Sequence, residues 1–438
     1  MTPRDRRHDT ATARELLQFI DASPSPWHVV ANAAARLESQ GFTRLDEAAR
    51  WDGLVPGGRY FVTRGASLIA FVQGAQALAD TGLRLIGAHT DSPGLRVKPR
   101  PAQAVDGLLR LGVEVYGGPI LATFSDRDLG LAGRVVVRTA DGQATRLVCF
   151  DKALARLPNL AIHMNRDVNE QGLKFNKQTE LPLIVGTLDK SAAGDADAAW
   201  RQLLAAQAQV AAADLLSWEL VAYDTQPGTL WGAQNEFIAS RQLDNLASCH
   251  AALSALLASE TRAATALVAL FDHEEVGSES AAGAGGSFLV DVLARLASQQ
   301  GLDEEDKRRM LAKSFFVSAD MAHAYQPNFP NAYEPGHKLA MNGGPTIKRN
   351  ANQRYATDAE SAARFLRACE RAGVACQHYA HRTDLGCGST IGPQVAAQLG
   401  IACVDVGSPM WAMHSARESA GVQDHADMIV VLAAVLAE

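Results

Sequence analysis

The chain has 438 residues, 47% hydrophobic and 20% charged, a composition that excludes an intrinsically disordered protein. Its 41 Lys and Arg against 48 Asp and Glu leave a formal net charge of −7, which gives nucleic acid or an anionic membrane no electrostatic reason to bind. The longest apolar runs, such as 429-IVVLAAVLA-437, fall short of the ~20 residues of a membrane span, and the charged start MTPRDRRHDT has no apolar segment behind it to serve as a secretory signal.

Helical spacing over residues 12–21 gives way to the breaker 22-ASPSP-26, and a second helix is predicted from Trp27 to Gln40, closed by Gly41. Strand-like pieces follow at 60–65 and 67–74, with a turn near Gly65. The apolar run in 83-LRLIGAHTDSPG-94 then delivers His89 and Asp91 before a Pro-Gly stop. Beyond Asp91 the texture changes. Residues 98–107 are punctuated by Pro and Gly, 108–118 alternate, and 134–150 read as a hairpin around Asp141-Gly142, the pattern of antiparallel sheets with one solvated face. An Ala-rich helix at about 197–213 and a strand at 218–224 close this block, and from about Leu230 apolar strands again alternate with helices. The expected fold class is α/β. A mostly parallel sheet with helices on both faces occupies residues 1–91 and 230–438, interrupted by an inserted, mainly β domain over residues 92–229. Six scattered cysteines without a close pair read as reduced thiols, so the expected compartment is the cytoplasm.

Four apolar runs carry polar residues to their carboxyl ends. Residues 83–89 end on His89, 266-ALVALFDHEE-275 on Glu274 and Glu275, and 315-FFVSAD-320 on Asp320, while 401-IACVDVG-407 leads through a Ser-Pro turn to His414. Sites of open α/β sheets form beyond the carboxyl ends of their strands. Asp244 stands at the mouth of an amphipathic helix in 240-SRQLDNLASCHAALSALL-257, where its two oxygens allow it to bridge two cations. Imidazole and carboxylate without thiolate suit zinc, cobalt or manganese, and Asp91 has the chemistry to fix the His89 ring. Bare neighbouring carboxylates in a crevice repel until one takes up a proton, a penalty that two divalent ions remove. Adjacent strand residues face opposite ways, so one of Glu274 and Glu275 is expected to be a ligand and the other a proton shuttle.

Taken singly, each residue has an ordinary reading. Asp244 is a helix cap, the histidines are partly buried hydrogen-bonded rings, and Glu274, Glu275 and Asp320 belong to turns. Convergence on one sheet edge favours the metal site. The runs 283-GAGG-286 and 386-GCGSTIG-392 lack the flanks of a nucleotide loop or a nucleophile elbow, so Cys387 and Ser389 are read as loop formers. Lys348 is by default a solvated lysine.

With 87-GAHTDSPGL-95, 240-SRQLDNL-246, 272-DHEEVGS-278, 344-GPTIKRNANQRYA-356 and 407-GSPMWAMHSARE-418, the chain resembles the aspartyl aminopeptidase family, metallopeptidases with two metal ions per active site. The resemblance implies that Asp244 bridges the metals, that His89 and Asp320 complete one, and that Glu275 and His414 complete the other. It makes Glu274 the general base and Asp91 the orienter of His89. It further implies that His163, in 159-NLAIHMNRDVN-169, reaches the active site of a neighbouring subunit, and that Lys348 meets an acidic substrate side chain. The inserted domain would pair subunits and form a lid, in a tetrahedral dodecamer that admits small peptides. In 381-HRTDLGCGST-390 the pair Leu385-Gly386 replaces an expected Met-Pro-like pair beside the substrate pocket. The implied reaction is hydrolysis of an N-terminal residue, acidic by preference, with zinc foremost and cobalt or manganese as alternatives. The rival readings are a related dinuclear exopeptidase or deacylase, including a neutral-residue aminopeptidase or a carboxypeptidase, and a non-catalytic metal-binding scaffold.

Overall fold

The computed structural model describes residues 10–188 and 195–438, so residues 1–9 of the charged start considered above lie outside it. Among the described residues the strands form two sheets, one of twelve strands and one of six.

At the centre of the larger sheet lie Thr265–Phe271, Leu83–His89, Phe315–His323 and Ala402–Trp411, adjacent in that order and mutually parallel. Their sequences are near-continuous apolar runs because both faces are covered. Successive side chains alternate between two cores. Ile86, Val268, Val317 and Val404 meet one set of helices, including Leu243–Leu257 and Val422–Leu436. Leu85, Leu267, Phe316 and Cys403 meet the other, including Phe288–Gln299 and Ile391–Leu399. Phe315 and Phe316 are buried on opposite faces, each contributing about 1.5–3 kcal/mol by leaving water.

Around this centre antiparallel pairs dominate, although Thr43–Arg44 runs parallel to Arg59–Arg64 and Thr346–Arg349 parallel to Gln377–Ala380. Ser67–Val72 and Arg59–Arg64 flank one side antiparallel, and Glu418–Gly421, Phe237–Ser240 and Thr229–Trp231 flank the other. The sheet is therefore mixed, and its four central parallel strands carry several of the predicted ligands.

The six-stranded sheet is antiparallel throughout and runs from Gly94 to Asp224. It has its own core, in which Trp200 and Leu204 of the helix Ala196–Ala208 join Leu131, Val135 and Leu220. That helix is shorter than predicted: Gln209 turns left-handed with φ 57°, and a short 3-10 turn at Ala212–Asp214 follows. The hairpin at Asp141-Gly142 is present, with Thr139 paired to Gly142. The Pro-punctuated segment is a strand after all, Gly94–Val105. Its register against Leu108–Tyr116 shifts between Val97 and Ala102, so Pro99 and Pro101 fall in an irregular stretch where no ladder donor is required.

Candidate active site

His89 is the last residue of its strand and points beyond the sheet edge from a buried position. Its Nδ1 sits 3.0 Å from the Asp91 backbone carbonyl, which fixes that nitrogen as the donor and leaves Nε2 to face the crevice. Nε2 is 3.3 Å from Asp244 Oδ1 and 3.6 Å from Asp320 Oδ1. The other oxygen of Asp244, Oδ2, is 3.2 Å from His414 Nε2, which lies 3.4 Å from Glu275 Oε1. Asp244 thus turns one oxygen to each histidine. Ligand atoms of His89, Asp244 and Asp320 lie within 4.8 Å of one another, as do those of Asp244, Glu275 and His414.

Three local structures differ from the sequence expectation. The strand with the paired glutamates ends at Phe271; His273 turns with φ 65°, and Glu274–Val276 form a single 3-10 turn. The opposite-faces argument therefore does not apply to Glu274 and Glu275. What orients them is Asp91, whose carboxylate accepts the Glu274 N–H at 3.1 Å and the Glu275 N–H at 3.2 Å. Asp91 Oδ2 also accepts from Tyr116 of the smaller sheet, at 2.7 Å. Its approach to the His89 ring is looser, 3.5 Å from Oδ1 to Nδ1.

Asp320 is not terminal on its strand, which continues to His323. It pairs with Gly407, where a Cβ would come within 2.5 Å of the Asp320 carbonyl oxygen, so glycine is what lets the two strands close here. Asp244 does not cap a regular helix. It and Asn245 have non-helical backbone angles, joined by a cis peptide, and the regular turns begin after them.

Lys348 is buried rather than solvated: its Nζ donates to Asp320 Oδ2 at 2.9 Å. His163 is exposed on a turn of the inserted segment and is absent from the wall of its own subunit's cleft. Cys387 and Ser389 do shape a loop, with Ser389 Oγ donating to the Arg354 carbonyl and Arg354 Nε donating to Cys387 O.

Two participants were missed. Glu418, buried beneath the site, accepts the backbone N–H of Asp244 at 3.0 Å and of His414 at 2.6 Å. Tyr116 reaches Asp91 from the other sheet. The motif ending 414-HSARE-418 places Glu418 near His414 in sequence but carries no sign of its reach to Asp244.

The electrostatics are those of a site built for cations. Burial, reinforced by Asp244, pushes Glu275 well above the carboxylate range, and burial with nearby carboxylates raises Glu274 to about 8. Asp244 Oδ1 and Glu275 Oε1 are buried without a hydrogen-bond partner among the described residues. Two imidazoles and three carboxylates, two of them with an orphaned oxygen, fit divalent cations of borderline softness. They open on a cleft of about 600 Å³ whose wall includes His323, Lys348, Arg354 and Tyr355.

Residues 19–435 match the family described as Aminopeptidase I zinc metalloprotease (M18). A probable M18 family aminopeptidase 2 of Pseudomonas aeruginosa strain PAO1 is 49% identical over 424 residues, covering 96% of this chain and 97% of the relative. The corresponding protein of Azotobacter vinelandii is 48% identical, covering 96% of each chain. Among solved structures, a chain of the Ape4 and Nbr1 complex superposes with a TM-score of 0.94 at 37% identity, over 98% of this chain and 86% of that one. The S. cerevisiae mApe1 dodecamer superposes with a TM-score of 0.83 at 27% identity, over 98% and 96%.

Proposed function

The chain belongs to the M18 family of zinc metallo-aminopeptidases, and on that premise we propose that it removes acidic N-terminal residues from small peptides at a two-metal centre with Glu274 as general base. The observation that carries the two-metal reading is the division of Asp244, one oxygen toward His89 and the other toward His414. His89 and Asp320 would hold one ion, Glu275 and His414 the other, and Asp244 both. When bound, the ions supply Lewis acidity and acidify water in the cleft.

The remaining work falls to the chain. Glu274, whose Oε2 lies 4.0 Å from His89 Nε2, takes the proton of the attacking water and delivers it to the departing amine. The carboxylates of the cleft pair with a free α-amine, which makes the enzyme an exopeptidase. Lys348 and Arg354 put positive charge on the cleft wall for an acidic side chain. Two of the three Lys348 donors are already engaged, by Asp320 and the Met321 carbonyl, which leaves one for substrate. That commitment also favours a second reading, preference for a neutral residue. The experiment compares zinc-loaded hydrolysis of dipeptides beginning with Asp, Glu, Leu, Met and Lys, each free and N-acetylated. Asp and Glu should lead and acetylation should abolish cleavage; equal rates on blocked peptides would discard the aminopeptidase reading.

Further parts of the proposal concern assembly. His163 sits among exposed Leu160, Ile162 and Met164, an apolar turn suited to entering a neighbouring subunit. The similarity to the mApe1 dodecamer supports a homo-oligomer, which we take to be a tetrahedral dodecamer built from dimers through the inserted domain, residues 92–229. Six free thiols fit the cytoplasm, and among the described residues no helix is long and apolar enough to cross a membrane.

A further inference from the structure

We infer that Glu418 is a positioning residue that clamps together the two chain turns on which Asp244 and His414 ride, and so sets the spacing of the metal centre at its His414 end. The reasoning starts from the backbone. Unlike His89 and Asp320, neither Asp244 nor His414 is held by a strand. Asp244 follows Gln242, which is left-handed with φ 55°, and His414 is itself left-handed with φ 68°, two residues after Ala412 at φ 54°. Turns of this kind have no ladder to satisfy their N–H groups or to fix their separation. Here both free N–H groups converge on one side chain. Glu418 Oε2 accepts from Asp244 N at 3.0 Å and Oε1 from His414 N at 2.6 Å.

Glu418 is well placed to act as a fixed post. It opens the strand Glu418–Gly421, where it is in register with Ser240 of Phe237–Ser240, so its backbone belongs to the larger sheet. Its side chain is buried, and it lines a small cavity with Ser92, Tyr116 and Arg241, next to Asp244 and His414. It is absent from the wall of the cleft itself. It therefore acts on substrate only through the ligands it holds. A carboxylate is the one side chain here that offers an acceptor to each of two N–H groups. Glutamine of the same shape offers one acceptor and sets an NH₂ against the other N–H.

The inference rests on the metal-centre reading, and its test separates the two. Zinc binding to wild type and Glu418→Gln is measured by chelator competition, with Co(II) absorption reporting on coordination and far-ultraviolet circular dichroism reporting on the fold. Partners that orient ligands are typically worth about 10–100-fold in metal affinity. E418Q should lose that much at the site of Glu275 and His414, alter the Co(II) spectrum, and change affinity at the His89 and Asp320 site by less. Equal loss at both sites, or affinities matching wild type, overturns the inference. A wild type that binds no zinc overturns the metal-centre reading instead. Hydrogen exchange on the metal-free wild type gives a second measurement that does not depend on the variant folding. The Asp244 and His414 amides should both be protected, and rapid exchange at both would remove the clamp.

Discussion

Lys348 Nζ lies 2.9 Å from Asp320 Oδ2 and 3.0 Å from the Met321 carbonyl, in a side chain only 2% exposed. Burial alone would raise the Asp320 carboxyl, but Lys348 and His89 together hold it below the ordinary carboxylate range. Lys348 is thus a structural counter-charge as well as part of the cleft wall. Lys348→Met should cost the metal-free protein about 3 kcal/mol, because it leaves Asp320 without its buried partner, and zinc should restore part of the loss. Denaturant unfolding with and without zinc checks this, and a variant as stable as wild type in the absence of metal would refute it.

Glu274→Gln should bind zinc as wild type does and lose 10²–10⁴-fold in kcat, the usual contribution of a general base. Metal content and steady-state rates on one preparation decide the matter. Near-normal turnover with both metals present would move the base elsewhere.

Zinc uptake should release protons. In the metal-free site burial, reinforced by Asp244, pushes the proposed ligand Glu275 well above the carboxylate range. Burial works against a charged His414, yet Asp244 and Glu418 hold it up at about 9. At neutral pH these two ligands hold protons that they must lose to bind, so apparent affinity should rise as pH increases from about 6 to 9. Calorimetry in buffers of different ionisation enthalpy reads the protons directly. Affinity that falls over this range would contradict the assigned ligand set.

If His163 acts between subunits as proposed, His163→Ala and Glu274→Gln should each be strongly impaired alone, yet a co-assembled mixture should regain activity, because a subunit with an intact Glu274 would receive His163 from a neighbour. Rates across mixing ratios, after the two are unfolded and refolded together, provide the check. A mixture no more active than its components would show that His163 does not act between subunits.

The parallel centre of the sheet was legible because burial on both faces writes unbroken apolar runs, and most of the proposed ligands were legible because those runs lead into acids and histidines. What escaped depends on contacts distant in sequence. Glu418 and Tyr116 matter through Asp244 and Asp91, 174 and 25 residues away. Lys348 looked solvated because nothing in its own segment announces Asp320. Glu274 and Glu275 were assigned to a strand since apolar periodicity cannot register where Asp91 gathers their N–H groups into a turn. Pro99 and Pro101 hid a strand because the shifted register that accommodates them is a property of two strands, not one.

Tyr116 grips Asp91, the Gly118 carbonyl lies 3.1 Å from His414 Nδ1, and Ile120 N–H reaches the His414 carbonyl. The smaller sheet is thus joined to the catalytic apparatus by bonds, not merely threaded through the chain. An engineer who trimmed the protein to its larger sheet would discard those three anchors along with the inserted segment. The shortened product would keep every proposed metal ligand and lose part of what holds His414 in aim, so catalytic competence cannot be pared down to one half of this molecule.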